Sequence, residues 1–289
     1  MASNNETYDM LLKLVKTRHS VRKFKPDPIP EDTINKILEV ARWAMSGANS
    51  QPWEFVVVTD PKTKKELRDA YSEYNTDLIF WMEQQREYNL RHPSYQVKND
   101  PHESLRFNKA KANWHQAPAV IVVLGDGRRQ WGTVMGAHTF GRDQSHLTDG
   151  LANACFLLHL AIASLGLTSE WVSIHIEEPH KRILGVPDLL KLYLIIPVGY
   201  PDVSSRGEGV RRPLEDMVHR ERYDMSKYMS NEDVIKYLYS LREATVPIHS
   251  ASRSVTAEEK KKILQGFVWL MCHVQCVLFT TKITKGSDD

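Results

Sequence analysis

The stretch SGANSQPWEFVVV, residues 46–58, places small and amide-bearing side chains immediately before a run suited to a buried strand. Ser46, Asn49 and Gln51 offer donors and acceptors together, and Gly47 lets backbone approach a flat partner closely. Phe55 to Val58 then read as a strand packed into the core. A polar loop that runs straight into the core is either an ordinary helix stop followed by a turn, or a loop that faces a heterocycle and has the core as its back wall.

Outward from this stretch, helices and strands alternate. Upstream, Ile34, Ile37, Leu38, Ala41 and Met45 repeat on one face, with Glu31 and Asp32 in the first turn and Gly47 as the stop, which predicts a helix over 31–45. Tyr8, Leu11, Leu12 and Val15 predict an earlier helix over 6–17, ended by RHSVRKF and the proline-rich PDPIP. Downstream, TDP turns the chain and KTKKELRDAY reads as a helix. AVIVVL (119–124), EWVSI (170–174) and LYLIIPVG (192–199) read as strands. A long apolar-faced helix over 147–165 ends at Gly166, and EEPHKRILGVPD carries a short helix bounded by prolines. Residues 72–116, rich in charge and aromatics and broken at Pro93 and Pro101, read as a lid. The class is α+β or α/β with helices around a central sheet. No GxGxxG follows a strand, so a dinucleotide-binding Rossmann domain is not supported.

Composition narrows the partners. The 289 residues are 42% hydrophobic and 26% charged, as in a globular chain with one main core and an appendage, the extension starting at residue 221. The 38 basic and 36 acidic residues leave a net charge of +2, which excludes a nucleic-acid footprint, so any bound anion must be held locally. Three cysteines are too few for a disulfide framework, and MASNNETYDM lacks the pattern of a signal peptide, so a cytoplasmic setting is expected. GFVWLMCHVQCVLFT, residues 266–280, is interrupted by His273 and Gln275 and falls short of the roughly 20 apolar residues of a spanning helix. It is expected to serve as a packing arm or dimer contact, with Cys272 and Cys276 as buried thiols and no metal.

Three segments carry chemistry. Arg18-His19-Ser20-Val21-Arg22 gathers two guanidiniums, a hydroxyl and an imidazole at a helix end, a grip suited to a phosphorylated ligand. SGANSQPW can read the edge of a heterocycle, and GVRRPLEDM adds Arg211 and Arg212 from far along the chain. For each, surface charge or turn chemistry is the plainer alternative. His159 and His175, lying in apolar patterns, are expected to be structural.

These segments in this order, with LGLTSEWVSI and LLKLYLIIPVGYP, resemble the FMN-dependent nitroreductase family over about Leu11 to Met217, with motifs most similar to its iodotyrosine deiodinase-like branch. The resemblance implies an α+β fold with a central, mainly antiparallel sheet flanked by helices, an intertwined homodimer, and FMN-binding residues within 1–220. By resemblance, Arg18, His19, Ser20 and Arg22 hold the ribityl phosphate and pyrimidine side, and Arg211, with Arg212 beside it, meets the phosphate. Ser46 and Gly47 reach in from the second subunit, while Asn49 and Gln51 either join them or buttress the loop. Trp171, Val172 and Ser173 pass the flavin N5 edge, where the Ser173 hydroxyl would favour single-electron steps unless it bonds within its own strand. The flavin supplies the redox chemistry, so the implied activity is reduction of an electron-poor aromatic or quinone-like ring by NADH or NADPH in a ping-pong cycle. Reductive dehalogenation, oxygen-dependent flavin fragmentation and a flavin-storage role are alternatives. In the lid, Glu83, Glu87, Tyr88, Lys111 and Trp114 are candidate substrate contacts, although their spacing departs from the deiodinase pattern.

Overall fold

The computed structural model describes residues 4–85, 88, 95, 113–129, 143–203, 211–234, 236–237 and 240. The chain divides into two units, one of residues 1–79 and 105–208, the other of residues 80–104 and 209–289. Residues 211–220 therefore group with the second unit, where the sequence reading had placed them in the first.

The first unit is built on β1 (Trp53–Val58), β2 (Ala119–Asp126), β3 (Thr168–Ser169), β4 (Val172–Ser173) and β5 (Leu190–Gly199), all antiparallel, in the order β1-β2-β5-β3 with β4 also on β5. Helices cover both faces, which is why β2 reads as an unbroken apolar run. Ala119, Ile121 and Val123 pack on one face with α2 (Glu31–Arg42) and α5 (Asp143–Ser164). Val120, Val122 and Leu124 pack on the other with Leu67 of α3 (Pro61–Ala70) and Leu184 of α6 (Glu178–Leu184). A register shift at Val123/Leu124 inserts Tyr193 into β5 as a bulge. It moves Leu192 to the same face as Ile195, where strict alternation would have put the two on opposite faces.

Local chemistry fixes the ends. Asp60 accepts from Thr63 N at 2.7 Å and Pro61 opens the helix, so the TDP turn is the start of α3. The helix predicted to end at Met45 stops at Arg42, five residues before Gly47, and leaves Met45 79% exposed. Asn153 of α5 takes up the Met45 carbonyl at 3.1 Å instead. The segment read as a lid from residue 72 continues the preceding helix, because α3 runs through a π-helical segment (Tyr71–Asn75) into α4 (Thr76–Gln84). By length and composition, residues 146–164 of α5 would suffice to cross a membrane, but 56% of that span is buried within the fold, as in a core helix. α1 (Asn4–Thr17) leaves much of its predicted apolar stripe in solvent, Tyr8 and Leu11 included.

In the second unit, Gln84 Nε2 donates to the Tyr95 carbonyl at 3.0 Å. Lys227 Nζ donates to the carbonyls of Glu215 and Val218, which fastens the turn at 225–227 to the one at 214–216. Residues 266–280, Pro93 and Pro101 lie outside the described residues.

Candidate functional site

The segment after α1 is laid along the sheet edge. Ser20 bridges Ser169 and Val21 N donates to Ser169 O at 3.1 Å; Phe24 bridges Pro201 and Lys25 N donates to Tyr200 O at 2.9 Å. The basic cluster is therefore held beside β3 by backbone bonds. Arg18 and His19 line a pocket of about 210 Å³ together with Val21, Ala163, Thr168 and Ser169. His19 Nδ1 lies 2.9 Å from Thr17 O, whereas its Nε2 is buried with no partner. A buried ring nitrogen without a partner beside a guanidinium suits an anionic group, to which an imidazole N–H donates. Arg22 Nε donates to Glu170 Oε1 at 2.8 Å, which fixes the guanidinium and leaves further N–H groups outward. Burial pushes the Glu170 carboxyl above the usual carboxylate range, with Arg22 opposing.

Further along the same edge, Ser169, Trp171 and Ser173 share one face. His159 of α5 approaches this face from below: its Nδ1 is 2.6 Å from Ser169 Oγ, and its ring stacks on Trp171 at 5.8 Å. The histidine is buried, as expected of a structural one. Trp171 also meets Tyr193, the bulge residue, edge-on at 6.1 Å. Its indole Nε1 donates to Ser173 Oγ at 3.2 Å. Asn75 holds the Ser173 backbone, donating through Nδ2 to Ser173 O at 3.3 Å and accepting from Ile176 N at 3.3 Å. Val172 points the other way, into the second core cluster, so it can offer a ligand only backbone. Ser173 itself is exposed.

The loop 46–51 carries its backbone strain on other residues than its glycine. Ala48 (φ 51), Asn49 (φ 52) and Gln51 (φ 45) all lie in the left-handed region, whereas Gly47 does not. Gln51 N donates to Ser46 Oγ at 3.0 Å and Gln51 Nε2 to Asn49 O at 3.3 Å, so Gln51 serves the loop itself. A Cβ on Gly47 would meet nothing nearer than His146 at 3.8 Å. Among the described residues, nothing within the single chain requires a glycine there.

The loop and the basic segment are not brought together. Ser46 sits against Gly150 near the start of α5, while the Arg18 pocket is lined by Ala163 near its end. Along a helix at 1.5 Å per residue these points are about 20 Å apart.

Trp114, expected among the substrate contacts, is instead a core residue: it is 3% exposed and packs edge-on against Tyr71 at 6.0 Å. The apolar face of β2 and α3 needs a large side chain there. Tyr88 and Glu83 are half-buried in the second unit; Lys111 and Glu87 lie outside the described residues. Arg211 and Arg212 also belong to the second unit, where Arg212 donates to Asp216 O at 3.1 Å and lies 5.8 Å over Tyr237. Sequence reading missed Asn75, Ser169 and Glu170. The signal for Asn75 was a polar residue at a helical position that periodicity would bury.

The sequence profile of the Nitroreductase family matches residues 15–200, well over half of the chain. Iodotyrosine deiodinase 1 of Rattus norvegicus is 28% identical over 218 residues, covering 74% of this chain and 69% of the relative. Iodotyrosine deiodinase of Nematostella vectensis is 29% identical over 210 residues, covering 71% and 73%. Among solved structures, oxidized iodotyrosine deiodinase bound to FMN and 3-iodo-L-tyrosine superposes with a TM-score of 0.54 at 23% identity, over 74% of this chain and all (100%) of that one. An FMN-dependent nitroreductase from Mycobacterium smegmatis in complex with NADPH superposes with a TM-score of 0.54 at 18% identity, over 75% and 100%. The structural likeness is one of fold, and with the sequence match over residues 15–200 it establishes that the chain belongs to the Nitroreductase family.

Proposed function

We propose that the protein is an FMN-dependent oxidoreductase that takes electrons from NADH or NADPH and passes them to an electron-poor aromatic or quinone-like substrate. The observation that carries this reading is the continuous edge from Ser20, paired to Ser169, to the exposed Ser173. Ser169 and Ser173 are four strand residues apart, about 13 Å at 3.3 Å per residue, which separates an anion grip from a hydroxyl meant for a ring edge. Bound FMN would supply the electron transfer. The protein's own tasks are then to hold the phosphate with Arg18, His19 and Arg22, to keep the ring against Trp171 and Ser173, and to exclude water from the α5 side.

The site is shared between two copies in this reading. A ring held by the Arg18 segment of one copy meets loop 46–49 of the other, since about 20 Å separates the two within one copy. The exposed Met10, Leu11, Trp43 and Met45 on and after α1 and α2 support burial against a partner chain.

Reductive dehalogenation of a halogenated phenol or tyrosine is the second reading. It is favoured by the 28% and 29% identity to iodotyrosine deiodinases. The test is spectroscopic. Purified protein loaded with FMN should bleach with NADH or NADPH and regain its colour when a nitroaromatic or quinone is added. Colour restored by a halotyrosine alone selects the second reading, and protein that stays oxidised with both nicotinamides favours a flavin-storage role or a different electron donor.

A further inference from the structure

We infer that Trp171 is a positioning residue: its indole N–H occupies an acceptor site of Ser173 Oγ and thereby turns the Ser173 hydroxyl into a donor toward the bound ring. The inference rests on the flavin reading above and adds to it the residue that sets the polarity of the ring-edge contact.

An indole nitrogen can only donate, so in the 3.2 Å contact with Trp171 Ser173 Oγ must accept. Its own proton then remains for another partner. The arrangement is held on several sides. The Trp171 ring is fixed between His159, stacked at 5.8 Å and 22°, and Tyr193, edge-on at 6.1 Å. His159 is in turn fixed by Ser169 at 2.6 Å. The Ser173 carbonyl is engaged by Asn75 at 3.3 Å. A serine without such a donor beside it commonly turns its hydroxyl onto nearby backbone. Trp171 is 41% exposed, so the residue is placed at the site surface and not sealed in the core.

A donor aimed at a ring nitrogen stabilises the unprotonated, oxidised ring relative to forms carrying a proton there. Removing the indole N–H should therefore raise the midpoint potential. The expected change is several-fold in the oxidised-to-reduced equilibrium; a tenfold change corresponds to about 30 mV for a two-electron couple.

The experiment compares four FMN-loaded full-length proteins by spectroelectrochemistry: the unmodified protein, Trp171→Phe, Ser173→Ala and the double variant. Trp171 acting through Ser173 predicts that Trp171→Phe shifts the potential upward but adds nothing in the Ser173→Ala background. Benzothienylalanine at position 171, which keeps the bicyclic ring and lacks the N–H, should reproduce the Phe shift and guards against a packing defect. In the FMN-free protein, the Trp171 indole proton should exchange faster with solvent once Ser173 is alanine. Equal shifts from Trp171→Phe with and without the serine, no shift with benzothienylalanine, or unchanged indole exchange would each overturn the inference while leaving the flavin reading intact. Failure of the unmodified protein to bind FMN overturns both.

Discussion

His159 Nδ1 lies 2.6 Å from Ser169 Oγ, in the layer between α5 and the strand edge that holds Ser20. Burial, with the charge of Arg18 adding to it, brings the His159 imidazolium down from 6.5 to about 4. The folded protein therefore carries it neutral, while the unfolded chain takes up a proton near 6.5. Its contribution to stability is complete above pH 6.5 and is lost as the pH falls toward 4, by about 3 kcal/mol over that range. Urea unfolding at pH 7.5 and 4.5 should show this loss, and in His159→Gln the difference between the two pH values should shrink.

Asn75 ties the π-helical segment to the strand end through two bonds, to Ser173 O and from Ile176 N. Asn75→Ala leaves both partners unmatched beside a buried site and should cost about 2–3 kcal/mol. Asn75→Asp keeps the acceptor but buries a carboxylate against the Ser173 carbonyl, so it should weaken FMN retention through Ser173 and cost at least as much stability as the alanine. Denaturant midpoints and equilibrium dialysis of FMN separate the two effects.

Mixing two defective copies tests the shared site. Arg18→Ala should weaken FMN binding at least tenfold, because a charged hydrogen bond to phosphate contributes about 1.5–3 kcal/mol. A Gly47→Trp copy, bulky where a partner ring is expected, should fail as well. Co-expressed, the two should form hybrids with one intact site and recover about one FMN per dimer by absorbance, since each copy supplies what the other lacks. If the hybrids bind no flavin, both elements act within one chain.

Ala48 has φ 51 without the freedom of glycine. The left-handed region costs an L-residue about 1–2 kcal/mol, so Ala48→Gly should raise stability by up to about 1 kcal/mol after its greater unfolded entropy is offset. Ala48→Val should lower it by more than 1 kcal/mol. Thermal unfolding should place the melting temperatures in the order Gly, Ala, Val, with Gly highest.

The apolar runs of β1, β2 and β5 and the periodic α2, α3 and α5 were legible because each is specified by neighbours in sequence: turn residues, helix starts and repeats of two or 3.6. The basic segment was legible as an anion grip from residue type and spacing, whereas the Trp171-Val172-Ser173 strand was read as a ring edge only through the family resemblance. The loop opening at Ser46 was recognised as polar and Gly47 as a point of close backbone approach, but its strain was not legible. Only the packed backbone shows that Ala48, Asn49 and Gln51 bear it.

Tertiary structure decided what depends on separations the chain order does not encode. Trp114 looked like an aromatic of the lid and became core because β2 and α3 meet around it. Asn75 reached Ser173 across 98 residues from the last position of a π-helical segment, whose wider turn shifts the helix register. The Tyr193 bulge decided which side of the sheet Leu192 faces, since one inserted residue inverts a period of two. The distance of about 20 Å between the Arg18 pocket and the Ser46 loop likewise exists only once α5 has been laid between them as a rigid rod.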